Sequence, residues 1–450
     1  MKVRFGTRSG SDVTRTQVLS VAMNGELVGK LTKNADGGMS FHYVEEWLAE
    51  PGARAISLSL PLQHGRIIGS AVYNFFSNLL PDSEAIIDRM QVRFKVKTDH
   101  PFDLLAAVGR DCVGAIQLYS PDTQIPSVME THAEPLNENQ IEELLDGYQT
   151  APLGMDEDVD FRISLAGAQE KTALLWYRGC WQRPQGSTPT SHIFKLPIGL
   201  IEHHNIDLRE SCENEWLCLC IAREFGFPVT NAELAIFGQK KVLIVERFDR
   251  KWSSSGDWLL RLPQEDCCQA LGIAPALKYE ASGGPGIESI MTLLLGSQKA
   301  IDDRELFFKS QILFWMLAAI DGHGKNFSIF IESGTSFRLT PLYDVLSAFP
   351  IFESRGIETK KAKMAMAFQG KNKQYHFSMI QPRHFISTAT QVGFSPKRAM
   401  QLMLDMAEKT DAVIADIIPQ LPEDFPEHIS KAIFSGLSKQ ADKIKRWASS

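Results

Sequence analysis

Residues 321–326 read Asp321-Gly322-His323-Gly324-Lys325-Asn326, and this stretch decides the fold prediction. It follows an apolar segment at 307–320 that predicts a helix, and it precedes strand-like segments at 327–331 and 337–342. The six residues therefore predict a loop that leaves a helix and enters a β-hairpin. Asp, Gly, His and Asn are common in such loops for structural reasons, so the stretch alone does not decide between a structural and a catalytic role.

A catalytic role gains support from Asp344, which follows the second strand of that hairpin. The hairpin returns the chain to the loop, so the Asp344 carboxylate is expected near Asp321 and Asn326. Phosphoryl transfer needs a carboxylate that accepts the proton of the attacking hydroxyl, and oxygen ligands for magnesium. We predict Asp321 as that base, and Asn326 and Asp344 as the metal ligands. His323 and Lys325 would contact phosphate or stabilise the loop, and a purely structural role for His323 stays open.

A lysine in the β-rich half is the candidate for holding the α and β phosphates. Residues 191–196 predict a strand that carries Lys195 among apolar neighbours. On a central strand its ammonium group needs an acidic partner, because an unpaired buried charge is costly. Glu213 and Glu215 lie on the next predicted helix, at 213–225, and both are candidates. The alternative is an edge-strand lysine that points to solvent.

Two further segments complete the predicted nucleotide site. Residues 241–248 predict a strand that connects the two lobes, with main-chain groups that would pair with the adenine edge. Any core strand would look similar, so this role depends on the other parts of the site. Residues 164–172 predict a turn of small residues, which suits close approach of backbone amides to phosphate. The turn is not a Walker A motif, because the second glycine before the lysine is absent.

The composition is that of an ordinary soluble globular protein, with 44% hydrophobic and 22% charged residues in a chain of 450. This length predicts two or three packed lobes. A net charge of −7 argues against a surface built wholly for nucleic acid. The longest apolar run, at 312–320, is too short to span a bilayer, and the start lacks the apolar core of a secretory signal, so we expect a cytoplasmic protein. The seven cysteines show no zinc or disulfide spacing.

Local patterns predict a small α+β domain before the catalytic half. Asn24-Gly25 predicts a tight hairpin between strands at 18–23 and 26–31. Two more strands are predicted at 40–43 and 55–62. Helices are predicted at 71–80, 83–93 and 140–148, and Asp82 is the predicted cap of the helix at 83–93. The chain is predicted to divide into a tail at 1–17, a small subdomain at 18–120 and a linker with a helix at 121–150. A β-rich lobe at 151–250 and a helical lobe at 251–450 follow.

Together these motifs resemble the HipA family, the kinase toxins of bacterial toxin–antitoxin pairs. The resemblance extends from about residue 18 to the C-terminus, and residues 1–14 precede it. It implies an α+β, two-lobed fold of the protein- and lipid-kinase type, with a β-rich N-terminal lobe, an all-helical C-terminal lobe and a small N-terminal α+β subdomain. The motifs that carry it lie, in order, at 161–171, 192–197, 245–249, 261–266, 321–328 and 343–344.

The resemblance also implies cofactors and residue roles. ATP and Mg²⁺ would be the cofactors, and Asp321 would be the catalytic base of a serine/threonine protein kinase. Asn326 and Asp344 would hold the metal, and Ser164 would be the autophosphorylated residue. Five segments would bind the nucleotide, through Ala166, Gly167, Ala168, Gln169, Glu170, Lys171, Lys195, Glu246, Arg247, Phe248, His323, Gly324, Lys325, Asn326, Tyr343 and Asp344.

The implied protein substrate is glutamyl-tRNA synthetase, whose phosphorylation would inhibit translation and favour dormancy. The implied partner is a HipB-like helix-turn-helix antitoxin, and through that complex the kinase would act as a co-repressor on operator DNA; no membrane partner is implied.

Two other functions stay open. A catalytically weak scaffold that binds an antitoxin on DNA would use the basic stretches at 360–383 and 439–446, although a solvated surface is the more common reason for such charges. A small-molecule phosphotransferase would share the spacing of Asp321 and Asn326.

Overall fold

The computed structural model describes residues 16–147, 165, 169–201, 206–354 and 356–450. Their fold is α+β, with a small N-terminal domain, a β-rich lobe and a mainly helical C-terminal lobe. Within the described part of the chain, no helix is long and apolar enough to cross a membrane. The segment of small residues at 166–168 and the proposed phosphorylation site Ser164 lie outside the described residues.

The N-terminal domain is a five-stranded antiparallel sheet covered by helices, with strand order β4-β3-β2-β1-β5. Its first hairpin confirms the Asn-Gly prediction, because Asn24 and Gly25 both have positive φ, at 47° and 88°. An apolar core of its own includes Phe41 and Phe75. The elements are β1 Gln17–Met23, β2 Glu26–Lys33, β3 Met39–Tyr43, α1 Glu45–Ala49, β4 Ile67–Ile68, α2 Ser70–Ser77, α3 Glu84–Arg93, α4 Pro101–Val108 and β5 Ile116–Tyr119.

Two local predictions in this domain are wrong. Residues 55–62 do not form a regular strand and make only one isolated bridge, between Ser57 and Leu60. Polar groups of this segment instead contact the C-terminal lobe, since the Leu58 amide donates to Glu265 at 2.8 Å. Asp82 does not cap α3, whose N-cap is Ser83, without a side-chain capping bond.

The β-rich lobe contains a six-stranded sheet with strand order β12-β13-β9-β7-β8-β6. Strand β9 pairs with β13 on one side and β7 on the other, so Lys195 lies on an interior strand and the edge-strand alternative is wrong. The elements are β6 Ala133–Pro135, α5 Glu138–Asp146, β7 Lys171–Tyr177, β8 Cys180–Pro184, β9 His192–Lys195, β10 Gly199–Ile201, β11 Ile206–Leu208, α6 Ser211–Glu224, β12 Ala232–Phe237 and β13 Lys240–Glu246.

The C-terminal lobe is mainly helical and differs from the all-helical expectation by three small sheets, β14-β15, β16-β17-β18 and β19-β20. Its elements are β14 Arg250–Trp252, β15 Leu259–Arg261, β16 Gln264–Asp266, α7 Cys267–Ala270, α8 Ile287–Leu293, α9 Ala300–Met316, β17 Ser328–Ile331, β18 Phe337–Leu339, α10 Phe349–Glu353, β19 Lys363–Gln369, β20 Lys373–His376, α11 Pro382–Gln391, α12 Pro396–Ile417 and α13 Glu427–Ala448.

Helix α9 lies at the centre of this lobe. Phe307, Phe314 and Trp315 are almost completely buried in the largest apolar cluster of the described residues. A helix that is apolar on most sides is stable only when it is surrounded by protein, as α9 is here. Only residues 317–320 separate this buried helix from the loop at 321–326, so a well-packed element positions the loop.

A buried charged cluster joins the N-terminal domain to the rest of the molecule. Asp111 accepts hydrogen bonds from Arg250 and Arg261, both at 2.9 Å, and from Arg247 at 3.3 Å. Asp249 pairs with two of these guanidinium groups, those of Arg247 and Arg250. Burial raises the pKa of Asp111, but Arg250, Arg261 and Arg247 lower it more, to well below its usual range. The Asp111 carboxylate is therefore charged and balances buried cations.

Candidate active site

A cleft of about 640 Å³ lies between the β-rich lobe and the C-terminal lobe, with the N-terminal domain at one side. Clefts of this size between lobes are the usual place for a small-molecule site. Its lining includes most of the described residues that the sequence predicts for the site, namely Gln169, Lys171, Lys195, Glu246, Arg247, Phe248, Asp321, His323, Lys325, Asn326, Tyr343 and Asp344. Glu170 and Gly324 are outside this lining.

The loop after α9 brings Asn326 and Asp344 into contact. Asn326 lies in a short 3-10 turn, and its side-chain nitrogen Nδ2 donates to Oδ2 of Asp344 at 2.8 Å. The Asn326 side-chain oxygen accepts from the His323 amide at 3.1 Å, which closes the turn. Gly322 permits close packing of the loop on α9, because a Cβ there would lie 2.3 Å from the Phe314 ring. Two oxygen-bearing side chains therefore converge in the cleft.

Lys195 connects this pair to the β-rich lobe. Its ammonium group donates to Glu215 at 2.7 and 2.9 Å and to Oδ1 of Asp344 at 2.9 Å. Burial lowers the pKa of Lys195, but Asp344 and Glu215 raise it more, to above its usual range. Asp344 is charged too, because Lys195 and Lys171 outweigh the effect of burial and hold the pKa of Asp344 well below its usual range. The cleft thus contains a charged lysine between two acidic groups.

The choice between the two glutamates follows from helix geometry. Residues two apart on a helix point about 200° away from each other. Glu215 therefore faces Lys195, whereas Glu213 faces the other side of α6 and pairs with Lys241. Sequence spacing could not decide this, because the rotation of α6 about its axis depends on its packing.

Asp321 lies at the exposed mouth of the cleft. Its Oδ1 accepts a hydrogen bond from the Tyr279 hydroxyl at 2.5 Å, and the Tyr279 ring packs edge-on against His323. Burial, together with the Asp321 charge, raises the pKa of Tyr279. A carboxylate that already accepts from a hydroxyl has the contact that a general base makes with an alcohol. Tyr279 was not predicted, since nothing in its sequence surroundings points to the cleft.

His323 and Lys325 have different surroundings within the same turn. Burial lowers the pKa of His323, and its buried Nδ1 has no hydrogen-bond partner among the described residues. Lys325 donates to Oδ1 of Asp82 at 2.6 Å, and Lys278 donates to Oδ2 of the same carboxylate at 3.1 Å. Asp82 is thus the main site residue that the sequence prediction missed, because it is 243 positions before Lys325 and on another domain.

Gln169, Glu170 and Lys171 are described residues of the small-residue turn, and they lie just before and at the start of β7. Lys171 lies in the cleft, where burial and the neighbouring Lys195 lower the pKa of Lys171 to about 8. The Gln169 side chain donates to the Leu196 carbonyl at 2.6 Å and braces β9. Glu170 forms an ion pair with Arg89 of α3, so its carboxylate is directed to the N-terminal domain.

The segment between the lobes contributes the aromatic ring of Phe248 to the cleft. The Arg247 guanidinium is engaged with Asp111 and Asp249, and the Glu246 and Arg247 amides donate within the lobe. The carbonyls of the same two residues accept from the Thr230 hydroxyl at 2.6 Å and from the Arg250 amide at 3.1 Å. Phe248 packs against Tyr343, with ring centroids 5.5 Å apart. The aromatic pair is therefore the part of this segment that could contact a base.

Comparisons with known proteins agree with this architecture. Residues 163–414 match the family model of the HipA-like C-terminal domain, and residues 19–119 match that of the HipA N-terminal domain. The chain is 33% identical over 342 residues to putative kinase Y4mE of Sinorhizobium fredii, covering 74% of this chain and 78% of that protein. It is 27% identical over 345 residues to serine/threonine-protein kinase toxin HipA of Shewanella oneidensis, covering 74% and 76%.

A solved structure extends the comparison to the fold. The match is to the Shewanella oneidensis HipA toxin–antitoxin complex with HipB and operator DNA, with a TM-score of 0.79 at 22% identity. It covers 96% of this chain and 99% of that chain, so the small N-terminal domain and both lobes share one architecture. The chain therefore belongs to the HipA family of serine/threonine-protein kinases.

Proposed function

We propose that this chain is an ATP- and Mg²⁺-dependent serine/threonine protein kinase in which Asp321 is the catalytic base. The observation that carries the proposal is the convergence, in one cleft, of Asp321, the Asn326–Asp344 pair and the Lys195–Glu215 ion pair. Protein kinases need these three parts together, a base, a metal site and a lysine with its acidic partner.

The donor set fits magnesium and the phosphates of ATP. Asp344 supplies a charged carboxylate. The Asn326 side-chain oxygen accepts one hydrogen bond, from the His323 amide, and its second lone pair would be the one offered to the metal. Mg²⁺ prefers a few such oxygen ligands together with phosphate oxygens. When bound, the metal supplies positive charge that offsets the charge of the β and γ phosphates. Lys195 and Lys171 would hold the phosphates from the β-rich lobe, since both ammonium groups lie in the cleft.

The chain's own residues would act on the acceptor alcohol as follows. Asp321 would orient the hydroxyl of a serine or threonine and accept its proton as the oxygen bonds to the γ phosphorus of ATP; the bond from that phosphorus to the β-phosphate oxygen breaks and ADP leaves. Tyr279 already contacts Oδ1 of Asp321, so an acceptor uses the second oxygen or displaces the Tyr279 hydroxyl. Asn326 and His323 keep the turn closed beside the base through the bond between them.

For the protein acceptor we propose glutamyl-tRNA synthetase, with Ser164 as a site of self-phosphorylation, and translation arrest and dormancy as the consequence. This part depends on the family resemblance. The related Shewanella structure contains HipB and operator DNA, which supports a HipB-like antitoxin as partner and a role as co-repressor with it.

The substrate proposal is tested with purified glutamyl-tRNA synthetase, γ-labelled ATP and Mg²⁺. We expect label on the synthetase with the native chain and none with Asp321→Asn. Label on other proteins of an antitoxin-free extract, with none on the synthetase, would contradict the substrate while leaving the kinase activity intact. Label on small alcohols only would favour a small-molecule phosphotransferase.

A further inference from the structure

The N-terminal domain places one carboxylate inside the kinase cleft. Asp82 lies in the connection between α2 and α3, and its side chain is only 10% exposed. Its two oxygens contact two different ammonium groups. Oδ1 accepts from Lys325 at 2.6 Å, and Oδ2 accepts from Lys278 at 3.1 Å. A single carboxylate from one domain therefore bridges two lysines of another.

Both lysines are connected to the loop that carries the base. Lys325 directly precedes Asn326, the predicted metal ligand. The Lys278 carbonyl accepts from the Gly324 amide at 3.2 Å, and the next residue, Tyr279, contacts Asp321. Movement of either lysine would therefore disturb the loop.

Hydrogen bonds of two uncharged side chains anchor the end of α2, close to Asp82. The side-chain amides of Asn74 and Asn78 donate to the carbonyls of Gly272 and Ile273 at 2.7 and 2.9 Å. These bonds attach α2 to the segment that leads into Lys278. The chain is thus anchored four residues before Asp82, and anchoring of this kind is what a positioning group requires.

The charges of this trio favour an anion in the cleft. Burial raises the pKa of Asp82, but Lys325 and Lys278 lower it more, so that Asp82 is ionised. One carboxylate and two ammonium groups leave one net positive charge. A phosphoryl group in the cleft can accept from the lysine protons that Asp82 does not use, because an ammonium group has three donors.

We propose that Asp82 is a positioning residue that holds Lys325 and Lys278 as cationic ligands of the transferred phosphoryl group. The N-terminal domain thereby completes the catalytic site. This inference depends on the proposed kinase function for its catalytic consequence, whereas the holding of the two lysines can be measured without catalysis.

The catalytic test compares Asp82→Asn with Asp82→Glu and with a matched control, Asp88→Asn, which changes an exposed acidic residue of the same domain. We expect Asp82→Asn to lower kcat by roughly a hundredfold, the effect of displacing a catalytic group by about 1 Å. The Kd for Mg-ATP should change much less, because Lys195, Lys171 and Asp344 are intact. Asp82→Glu should restore part of kcat, and Asp88→Asn should match the native chain.

A second measurement follows the reactivity of individual lysines toward acetic anhydride by mass spectrometry. In Asp82→Asn we expect faster acetylation of Lys325 and Lys278, because each loses its counter-charge, while the rate at Lys195 stays constant. Unchanged rates at Lys325 and Lys278, or an unchanged kcat in a folded Asp82→Asn protein, would overturn the proposal. An inactive native chain would contradict the kinase function instead, and the acetylation rates would still decide whether Asp82 holds the lysines.

Discussion

At the scale of single residues, Asp344 has a backbone conformation that is rare for a residue with a side chain, with φ at 58°. Such conformations cost energy and are found most often at functional sites, where surrounding contacts maintain them. Here Lys195 and Asn326 each bind one oxygen of the Asp344 carboxylate. These two contacts hold the carboxylate in the cleft.

Replacing Asp344 with Asn keeps the shape and tolerates the same φ, but it removes the negative charge. We expect Asp344→Asn to weaken magnesium-dependent ATP binding by at least about tenfold. Replacing a residue that only supports a metal ligand already lowers metal affinity by about ten- to a hundredfold, and a direct ligand should matter no less. Calorimetric titration with ATP, with and without Mg²⁺, measures this. Equal Mg-ATP affinity in the native and variant proteins would exclude Asp344 as a metal ligand.

Lys171 should make nucleotide binding depend on pH. The pKa of Lys171 in the free protein is lowered to about 8 by burial and by Lys195, and bound phosphate would raise it again. Above pH 8 the free protein must therefore take up a proton to bind, so the Kd for Mg-ATP should rise by up to about tenfold per pH unit. Titrations at pH 7, 8 and 9 test this, and Lys171→Met should flatten the profile. A steep profile in Lys171→Met would assign the effect to another group.

At the scale of secondary-structure elements, the pairing of β9 and α6 decides which glutamate serves the cleft. Glu215 and Glu213 are both buried on α6, yet only Glu215 contacts Lys195. If a substitution made residue 215 neutral, Asp344 would be the remaining carboxylate that balances the Lys195 charge, and Lys195 would compete with the metal for it. The two glutamates therefore form a matched pair for mutation.

We expect Glu215→Gln to lower kcat/KM for ATP by about ten- to a hundredfold, since a hydrogen bond to a charged group contributes about 1.5 to 3 kcal/mol. Glu213→Gln, on the same helix, should retain the native value once activity is normalised to folded protein. Steady-state kinetics with varied ATP provides the comparison. Equal losses in the two variants would mean that α6 acts only through stability.

The order of elements could be predicted from the sequence because their signals are local. The hairpin at Asn24-Gly25, the helix α9 and the hairpin after the 321–326 loop each depend on a short run of residues. The segment at 55–62 could not be predicted, because its polar groups are satisfied by Glu265 and Gln269, about 200 positions away. For the same reason the sequence predicts a helix cap at Asp82, whose actual partners, Lys325 and Lys278, are also about 200 positions away.

At the scale of the whole molecule, the N-terminal domain contacts the C-terminal lobe through two buried acidic residues, Asp111 and Glu265. Asp111 is surrounded by three guanidinium groups, and Glu265 is completely buried with one oxygen bonded to the Leu58 amide. The Asp111 carboxylate is balanced by cations, whereas burial raises the pKa of Glu265 to about 8. The stabilising effect of Asp111 is therefore lost at low pH, whereas that of Glu265 is lost as pH rises toward 8.

Glu265 should make the protein less stable as pH rises toward 8. Between pH 4.5 and 8 the folded protein keeps the Glu265 proton while the unfolded chain loses it, so the free energy of unfolding falls with pH. Glu265→Gln has the shape of the protonated form and no such dependence. From pH 5.5 to 8 we expect the variant to gain up to about 3 kcal/mol relative to the native chain, visible as a growing difference in Tm. Burial also raises the pKa of Asp266, to about 6, but Asp266 is present in both proteins and its effect cancels in the comparison. A difference in Tm that stays constant with pH would contradict the raised pKa of Glu265.

The most direct test of the whole account is the transfer of phosphate by Asp321. The native chain and Asp321→Asn are each incubated with γ-labelled ATP and Mg²⁺, and protein-bound label is followed with time while the Kd for Mg-ATP is measured separately. We predict label on the native chain, including Ser164, none on Asp321→Asn, and similar ATP affinity for both, because the base acts on the acceptor hydroxyl and not on the nucleotide. Labelling of Asp321→Asn at the native rate would contradict the account.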